Sequence, residues 1–202
     1  MADPLFGVSL IKELQRDQRH TMDIAKALKE LTRRLDEEGI PFAVIGALAM
    51  RHHGYVRHTE DIDILTTPEG LDRIHERLVG RGIVPRAPGL RKKLRETEHR
   101  VNIDVIKAGE HAGSNDSSLV FPDPRSDRFL VIDGQRVPDL ALLIEFKLTS
   151  GIYGNRAKDL GDVQELIKAN KLKKPFARKI PTELRAKFLE LLENVRNEKD
   201  IE

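Results

Sequence analysis

Apolar residues in the first forty positions follow a helical spacing. They recur every three or four residues and so fall on one face of a helix. Gly39 follows as a C-terminal cap that ends this helix. The spacing predicts an N-terminal helical segment over residues 1–40 that packs on the rest of the protein. The apolar stripe comprises Ile24, Leu28, Leu31 and Leu35.

Over residues 41–138 the pattern changes to short apolar runs and alternating segments. The run over residues 42–45 is typical of a buried strand, and the alternation over residues 61–65 is typical of a strand with one polar face. Helices are predicted after each of these strands, and a hairpin is predicted around Asp133-Gly134. Further strands are predicted near residues 82–85, 90–96 and 100–106. A mobile Gly-, Ser- and Asn-rich loop is predicted over residues 109–118.

Residues 139–202 return to helical spacing, with helices predicted near residues 140–148, 158–170 and 183–197. The pattern as a whole predicts an α/β (α+β) fold. Its small mixed sheet and flanking helices occupy residues 41–138, and a helical C-terminal region follows.

Composition narrows the possible chemistry. The 202 residues contain no cysteine, which excludes disulfides and cysteine-ligated zinc. No signal-peptide pattern is present, and the longest apolar stretch is too short to span a bilayer. We therefore expect a cytoplasmic protein that makes no use of a membrane. The net charge of +2 says little about partners.

Two basic clusters stand out against this small net charge. One surrounds residues 91–95 and the other residues 171–179. Such clusters are usually solvated faces, and the alternative is contact with nucleic acid or a nucleotide tail. The first contains Arg91, Lys92, Lys93 and Arg95, and the second contains Lys171, Lys173, Lys174, Arg178 and Lys179.

The sharpest chemical feature is Asp61-Ile62-Asp63. Residues two apart in a strand point to the same face, so both carboxylates project together. Two close carboxylates repel each other unless a cation lies between them. Asp104 lies on a second alternating strand and would add a third carboxylate if the two strands are neighbours. The other interpretation of the pair is an acidic, solvent-facing edge strand.

Three carboxylates of this kind suit Mg²⁺ or Mn²⁺, which prefer oxygen ligands and substrate phosphates. The arrangement is typical of displacement at phosphorus, in which the metal activates a hydroxyl and neutralises a triphosphate. Asp104 could then act as the general base. Upstream, Gly46 ends a strand and opens a helix, where backbone N–H groups could seat a phosphate beside the small Ala47.

These residues resemble a known signature. Ile45-Gly46-Ala47, a short helix and then Arg57-x-Thr59-x-Asp61-Ile62-Asp63 are similar to the polymerase-beta-like nucleotidyltransferase superfamily. The likeness is greatest to bacterial abortive-infection-type toxin nucleotidyltransferases and their uncharacterised relatives. Residues 102–105 match the third acidic strand, and Lys147 with residues 156–163 resembles the Lys helix and the Lys-Asp-x-x-Asp helix of those relatives.

The resemblance implies a metal-dependent enzyme that moves a nucleoside monophosphate from a nucleoside triphosphate to a hydroxyl on protein, RNA or a small molecule. It also implies a toxin-like role, with an antitoxin-like partner. Asp61, Asp63 and Asp104 would bind metal. The implied nucleotide and phosphate contacts are Gly46, Ala47, Arg57, Thr59, Lys147, Asp159 and Asp162.

One position departs from the family pattern. Ala47 stands where Gly or Ser is usual, and alanine lacks the serine hydroxyl, a loss of about 1 kcal/mol for one hydrogen bond to phosphate. Two other hypotheses therefore stay open. One is a non-catalytic nucleotide- or partner-binding module with the same fold, and the other is a nucleic-acid-binding protein that uses the basic clusters.

Overall fold

The computed structural model describes residues 4–113, 117 and 119–199, and the side chains of residues 17–113, 117 and 119–197. Helices and strands alternate along most of the chain, and helices alone follow residue 139. In chain order the elements are α1 (Pro4–Glu37), β1 (Phe42–Val44), α2 (Gly46–His52), β2 (Asp61–Thr66), α3 (Pro68–Arg77), β3 (Ile83–Pro85), β4 (Lys93–Glu96), β5 (Asn102–Lys107), β6 (Phe129–Ile132), β7 (Gln135–Pro138), α4 (Leu140–Tyr153), α5 (Ala157–Ala169), a 3-10 helix (Lys174–Lys179) and α6 (Thr182–Lys199).

Five strands form a mixed sheet in the order β1-β2-β5-β4-β3. The central pair, β2 and β5, is parallel, and the other neighbours are antiparallel. Because a parallel pair needs a crossover, α3 and the β3-β4 hairpin lie between β2 and β5 in the chain. The expected small mixed α/β sheet is confirmed, and β6 and β7 form a separate two-stranded hairpin.

One large apolar core joins α1, the sheet and the C-terminal helices. The α1 stripe is buried, and its side chains share the core with β2, β5, α4, α5 and α6. A second, smaller apolar cluster lies on the other side of β1 and β2, and it contains Ala43, Ile45, Leu65, Phe129, Leu142 and Phe146. Residues 1–40, 41–138 and 139–202 all contribute to the large core, and the division into these three segments stays a prediction.

Local side chains explain where several elements begin. The hydroxyl of Thr67 accepts a hydrogen bond from the backbone N–H of Gly70 (3.0 Å), which caps α3 ahead of Pro68. Asp139 caps α4 in the same way through the N–H of Leu142 (2.7 Å). The turn between β6 and β7 has positive φ at Asp133 and Gly134, as the tight-turn pair predicted.

The structure corrects one local prediction and adds detail in two other segments. The strand expected over residues 90–96 begins only at Lys93, after a turn that contains Pro88 and Gly89. Part of the second basic cluster forms the 3-10 helix that begins at Lys174, with Pro175 in its first turn. Residues 55–60, which lead into β2, are irregular. Of the loop predicted over residues 109–118, residues 114–116 and 118 lie outside the described residues.

No helix within the described ranges is both long enough and apolar enough to cross a membrane.

Candidate active site

The parallel pairing of β2 and β5 brings the three aspartates together. Asp63 lies opposite Asp104 in the register, and Asp61 lies opposite Asn102. Because side chains alternate along each strand, all four project to one face of the sheet. The three carboxylates line a cleft of about 430 Å³ between the sheet, α4 and the start of α5. The expected neighbouring placement of the Asp61 and Asp104 strands is therefore confirmed.

The two outer carboxylates of this triad have hydrogen-bond partners. The amide of Asn102 donates to Asp61 Oδ1 (2.9 Å), and the ammonium of Lys93 donates to Asp104 Oδ2 (2.5 Å). Arg86 Nη1 lies 3.5 Å from the other oxygen of Asp104. These contacts hold both side chains in place and reduce the repulsion between the carboxylates.

Among the described residues, no side chain donates a hydrogen bond to Asp63, the inner member of the triad. The pKa of its carboxyl is raised from an ordinary value of 3.8 to about 6, because burial and then the charges of Asp104 and Asp61 outweigh the opposing effect of Lys147 and Lys93. A buried carboxylate of this kind is a natural position for a bound cation.

We expect Asp63→Asn to stabilise the cation-free protein at pH 7.5. The folded-state pKa lies above the unfolded one, so the folded protein binds more protons between about pH 4 and 6, and its stability falls as pH rises through that window. The variant should gain on the order of 2 kcal/mol at pH 7.5 and nothing at pH 4. Urea unfolding in the presence of EDTA measures the difference.

The exposed Asp127 provides the matched control, because Asp127→Asn makes the same chemical change on the surface. This control should match the wild type at both pH values. An Asp63→Asn protein no more stable than the wild type at pH 7.5 would contradict the energetic cost that we assign to the charged Asp63 carboxylate.

Gly46 lies against the Asp63 carboxylate. Its φ is +67°, and a Cβ at this position would fall 2.1 Å from Asp63 Oδ2. The backbone N–H of Ile45 donates to the backbone carbonyl of Asp63 (3.0 Å), which fixes the distance between the two chain segments. Both the conformation and the lack of space therefore require glycine at position 46.

Gly46→Ala should destabilise the protein by about 2–4 kcal/mol, the sum of left-handed strain and overpacking. In an Asp63→Gly background the steric part disappears, and the same substitution should cost only about 1–2 kcal/mol. Urea unfolding of the wild type, Gly46→Ala, Asp63→Gly and the double variant measures this coupling. Equal costs in both backgrounds would show that the close approach to Asp63 does not restrict position 46.

A buried ion-pair network forms the opposite wall of the cleft. Lys147 on α4 donates to Asp159 Oδ1 and Asp162 Oδ2 of α5, each at 2.7 Å, and only 7% of this lysine is exposed. Arg57 Nε lies 3.1 Å from Asp162 Oδ1, as an ion pair without the alignment of a hydrogen bond. The network joins α4, α5 and the irregular segment that precedes β2.

The network also sets the charge of Asp159. Burial raises the pKa of this carboxyl, but Lys147 and a hydrogen bond from Ser150 (2.7 Å) outweigh burial, so the pKa lies below its ordinary value. Asp159 is therefore an anion that pairs with Lys147. The Lys147 ammonium does not extend to water, because it is held between two buried carboxylates.

Lys147→Met should cost about 3–5 kcal/mol of stability, because it leaves two buried carboxylates without their main partner. Lys187→Met is the matched control, since Lys187 pairs with Glu190 at the surface and its loss should cost less than about 1 kcal/mol. Chemical denaturation measures both. A Lys147→Met variant as stable as the control would overturn the structural role of Lys147.

The residues expected to contact nucleotide fall into two groups. Gly46, Arg57, Thr59, Lys147 and Asp159 line the cleft together with the acidic triad. Arg57 and Thr59 do so from the irregular segment, where the Thr59 hydroxyl donates to the backbone carbonyl of Asp61 (3.1 Å).

Ala47 and Asp162 are buried, at 3% exposure each, and are not among the residues that line the cleft. Ala47 is the second residue of α2, and Asp162 faces Lys147 and Arg57. Direct nucleotide contact by any of the residues in either group stays a prediction.

Several side chains of the site were not singled out from the sequence. Asn102 could have been found by alternation, because it lies two residues before Asp104 on the same strand face. Lys93 was assigned to a basic cluster, and only the β4-β5 register reveals it opposite Asp104. The apolar part of the cleft carried no signal, because its members come from four separate segments. They are Ile45, Ile106, Phe121, Leu143 and Phe146.

A second group of acidic and histidine side chains lies at the end of β4 and in the turn that follows it. Among the described residues, three ligand atoms come within 4.8 Å of one another only at Glu96, Glu98 and His99. The carboxylate of Glu96 already accepts the backbone N–H groups of Glu98 (2.7 Å) and His99 (2.8 Å), which shapes the turn before β5. The three aspartates of the cleft are spread more widely, and their hard oxygen ligands match Mg²⁺ or Mn²⁺.

Comparison with known proteins shows which solved structures share the fold of this chain. No protein-family model and no curated protein matches the chain. A candidate nucleotidyltransferase from H. pylori superposes with a TM-score of 0.50 at 16% identity, over 90% of this chain and 93% of that one. ANT(2″)-Ia, solved in complex with adenylyl-2″-tobramycin, gives a TM-score of 0.51 at 16% identity, over 86% and 98%.

The chain therefore has the nucleotidyltransferase fold. The resemblance to the polymerase-beta-like superfamily, inferred from the spaced motifs, is confirmed at the level of the fold. The closer likeness to abortive-infection-type toxin proteins stays a prediction.

Proposed function

We propose that this protein transfers a nucleoside monophosphate from a nucleoside triphosphate to an acceptor hydroxyl and releases pyrophosphate. The observation that carries the proposal is the register of β2 and β5, which sets Asp63 beside Asp104 at the floor of a cleft in a nucleotidyltransferase fold. Asp61, two residues before Asp63 on the same face of β2, completes a triad of oxygen ligands.

The triad would hold one or more divalent cations, Mg²⁺ or Mn²⁺, through Asp61, Asp63 and Asp104. The raised pKa of Asp63 supports this assignment, because a cation would relieve the cost of the buried carboxylate. When bound, the cation supplies charge neutralisation at the triphosphate and lowers the pKa of the acceptor hydroxyl.

The side chains of this protein would orient the reacting groups for an in-line displacement. The acceptor oxygen forms a bond to the α-phosphorus, the bond from that phosphorus to the bridging oxygen of the β-phosphate breaks, and pyrophosphate leaves. Asp104 is the proposed general base that takes the hydroxyl proton. Lys93 and Arg86 hold its carboxylate in position through the contacts at 2.5 and 3.5 Å.

The opposite wall would hold the phosphate tail. Arg57, Lys147, Arg156 and Lys158 all line the same cleft as the acidic triad. Arg156 and Lys158 are exposed there, at the start of α5, and their charge complements a triphosphate. Lys147 is already shared between two aspartates, so it contributes to the local field and fixes the position of Arg57 through Asp162.

The acceptor is a hydroxyl on protein, RNA or a small molecule. ANT(2″)-Ia, with its adenylyl-tobramycin complex, illustrates a small-molecule acceptor on this fold. A toxin-like role, an antitoxin-like partner and a cytoplasmic location rest on the motif likeness and composition described above.

One observation favours a second candidate, a non-catalytic nucleotide-binding module. The pairing of Asp104 with Lys93 and Arg86 compensates its charge with cations of the protein itself. Such a module would bind a nucleotide without a divalent cation and would not release pyrophosphate.

Calorimetric titration with each nucleoside triphosphate, with and without Mg²⁺, tests the proposal. The wild type should bind in a Mg²⁺-dependent manner, and Asp61→Asn/Asp63→Asn should weaken binding at least a hundredfold, because buried charge contacts to the cation are lost. Asp127→Asn should bind like the wild type. Pyrophosphate release in the presence of candidate acceptors then reports turnover.

Two results would decide against the enzyme. Equal binding by the wild type and the double variant without Mg²⁺ would favour the non-catalytic module. The absence of binding to every triphosphate, with and without Mg²⁺, would exclude the proposed site.

A further inference from the structure

The face of β5 in the cleft changes character along its length. Asn102, Asp104 and Ile106 project to the same side, so polar groups give way to an apolar side chain one strand step past the triad. Ile45, which precedes Gly46 beside Asp63, is apolar as well. The carboxylates therefore lie at a boundary between a polar and an apolar part of the cleft.

The cleft face of α4 shows the same change. Leu143 and Phe146 lie in its first half, and Lys147 and Ser150 follow one turn later. The polar half leads towards α5, where Arg156 begins the basic wall. Two elements from different parts of the chain thus give the cleft one apolar end and one polar end.

Four of the five apolar side chains belong to or pack against one apolar cluster, and the fifth, Leu143, belongs to the large core. Ile45 and Phe146 belong to the smaller apolar cluster, and Ile106 and Phe121 pack against it. The rings of Phe121 and Phe146 lie 4.7 Å apart at an interplanar angle of 51°. Both rings line the cleft, Phe121 half-buried and Phe146 with 8% of its surface exposed, and an aromatic pair of this kind suits contact with a flat aromatic group.

We propose that the apolar end of the cleft, defined by Ile45, Ile106, Phe121, Leu143 and Phe146, is the subsite for the nucleobase of the triphosphate. The inference rests on the proposed function and adds the direction of the substrate. The base lies against Phe121 and Phe146, the α-phosphate lies at the triad, and the remaining phosphates extend towards Arg57, Arg156 and Lys158.

Distance along the sheet agrees with this direction. Two residues along a strand advance about 7 Å, so Ile106 lies roughly one ribose length beyond Asp104. A base held at Ile106 would thus leave its 5′-phosphate beside the carboxylates. The reverse direction would put a polyanionic tail against hydrocarbon side chains and desolvate it without a partner.

The subsite also implies weak choice among bases. Its five described side chains are all hydrocarbon, so they hold a base by stacking and van der Waals contact rather than by hydrogen bonds to its edge. The four ribonucleoside triphosphates should therefore bind within about tenfold of one another, whereas a site that reads the base edge discriminates far more strongly.

Calorimetry with two probes, ATP and inorganic tripolyphosphate, each with Mg²⁺, separates the two ends of the cleft. Phe121→Ala should weaken ATP binding by about tenfold through lost stacking and leave tripolyphosphate binding unchanged. Phe121→Leu keeps an apolar side chain and serves if the alanine variant folds poorly. Its ATP affinity should lie between those of the wild type and Phe121→Ala. Phe176→Ala, which removes a partly buried ring outside the cleft, is the matched control.

The outcomes distinguish the subsite from the proposed function. Unchanged ATP affinity in both Phe121 variants, or a preference above a hundredfold for one base, would overturn the subsite. An equal loss of ATP and tripolyphosphate binding would also overturn it, because Phe121 would then support the cleft as a whole. If the wild type binds neither probe, the proposed function itself fails.

Discussion

The structure depends on the parallel pairing of β2 and β5, which sets the Asp63 and Asp104 carboxylates side by side. Like charges at this spacing oppose folding unless something compensates them. The surroundings of the site meet this requirement through Asn102 on Asp61 and through Lys93 and Arg86 on Asp104. Among the described residues no side chain donates a hydrogen bond to Asp63, and burial with the neighbouring carboxylates raises its pKa in spite of Lys147 and Lys93.

In the wall opposite the triad, buried charged side chains of opposite sign compensate one another. Lys147, Asp159, Asp162 and Arg57 neutralise one another away from water, and in doing so they connect the C-terminal helices to the segment that leads into β2. A change in α5 can therefore alter the position of a side chain at the cleft without any contact with substrate. The helical region after residue 139 is in this sense part of the site.

Periodicity predicted much of this architecture because it depends on local physics. Alternation around Asp61 and Asp104 indicated two half-buried strands, and the capping residues Thr67 and Asp139 act over only three residues. Strand order, by contrast, depends on long-range pairing. Alternation therefore placed Asn102 and Asp104 on one face, but the position of Lys93 opposite Asp104 became visible only in the folded sheet.

The same limit applies to the remaining site residues. The helical spacing near Lys147 indicated a lysine at the edge of an apolar helix, where water is the usual neighbour. Two aspartates from the next helix replace that water, and no short-range pattern encodes their approach. The apolar end of the cleft is likewise assembled from the residue that follows β1, from β5, from α4 and from the segment before β6.

The contact between Gly46 and Asp63 has a consequence for how such proteins diverge. A side chain at position 46 would occupy the volume that the Asp63 carboxylate fills, so the two positions cannot drift independently. A lineage that loses the proposed catalytic function should first lose the aspartate and only afterwards accept a larger residue in place of the glycine. Sequences that keep the glycine without the aspartate would mark an early stage of that decay, and the reverse combination should be rare.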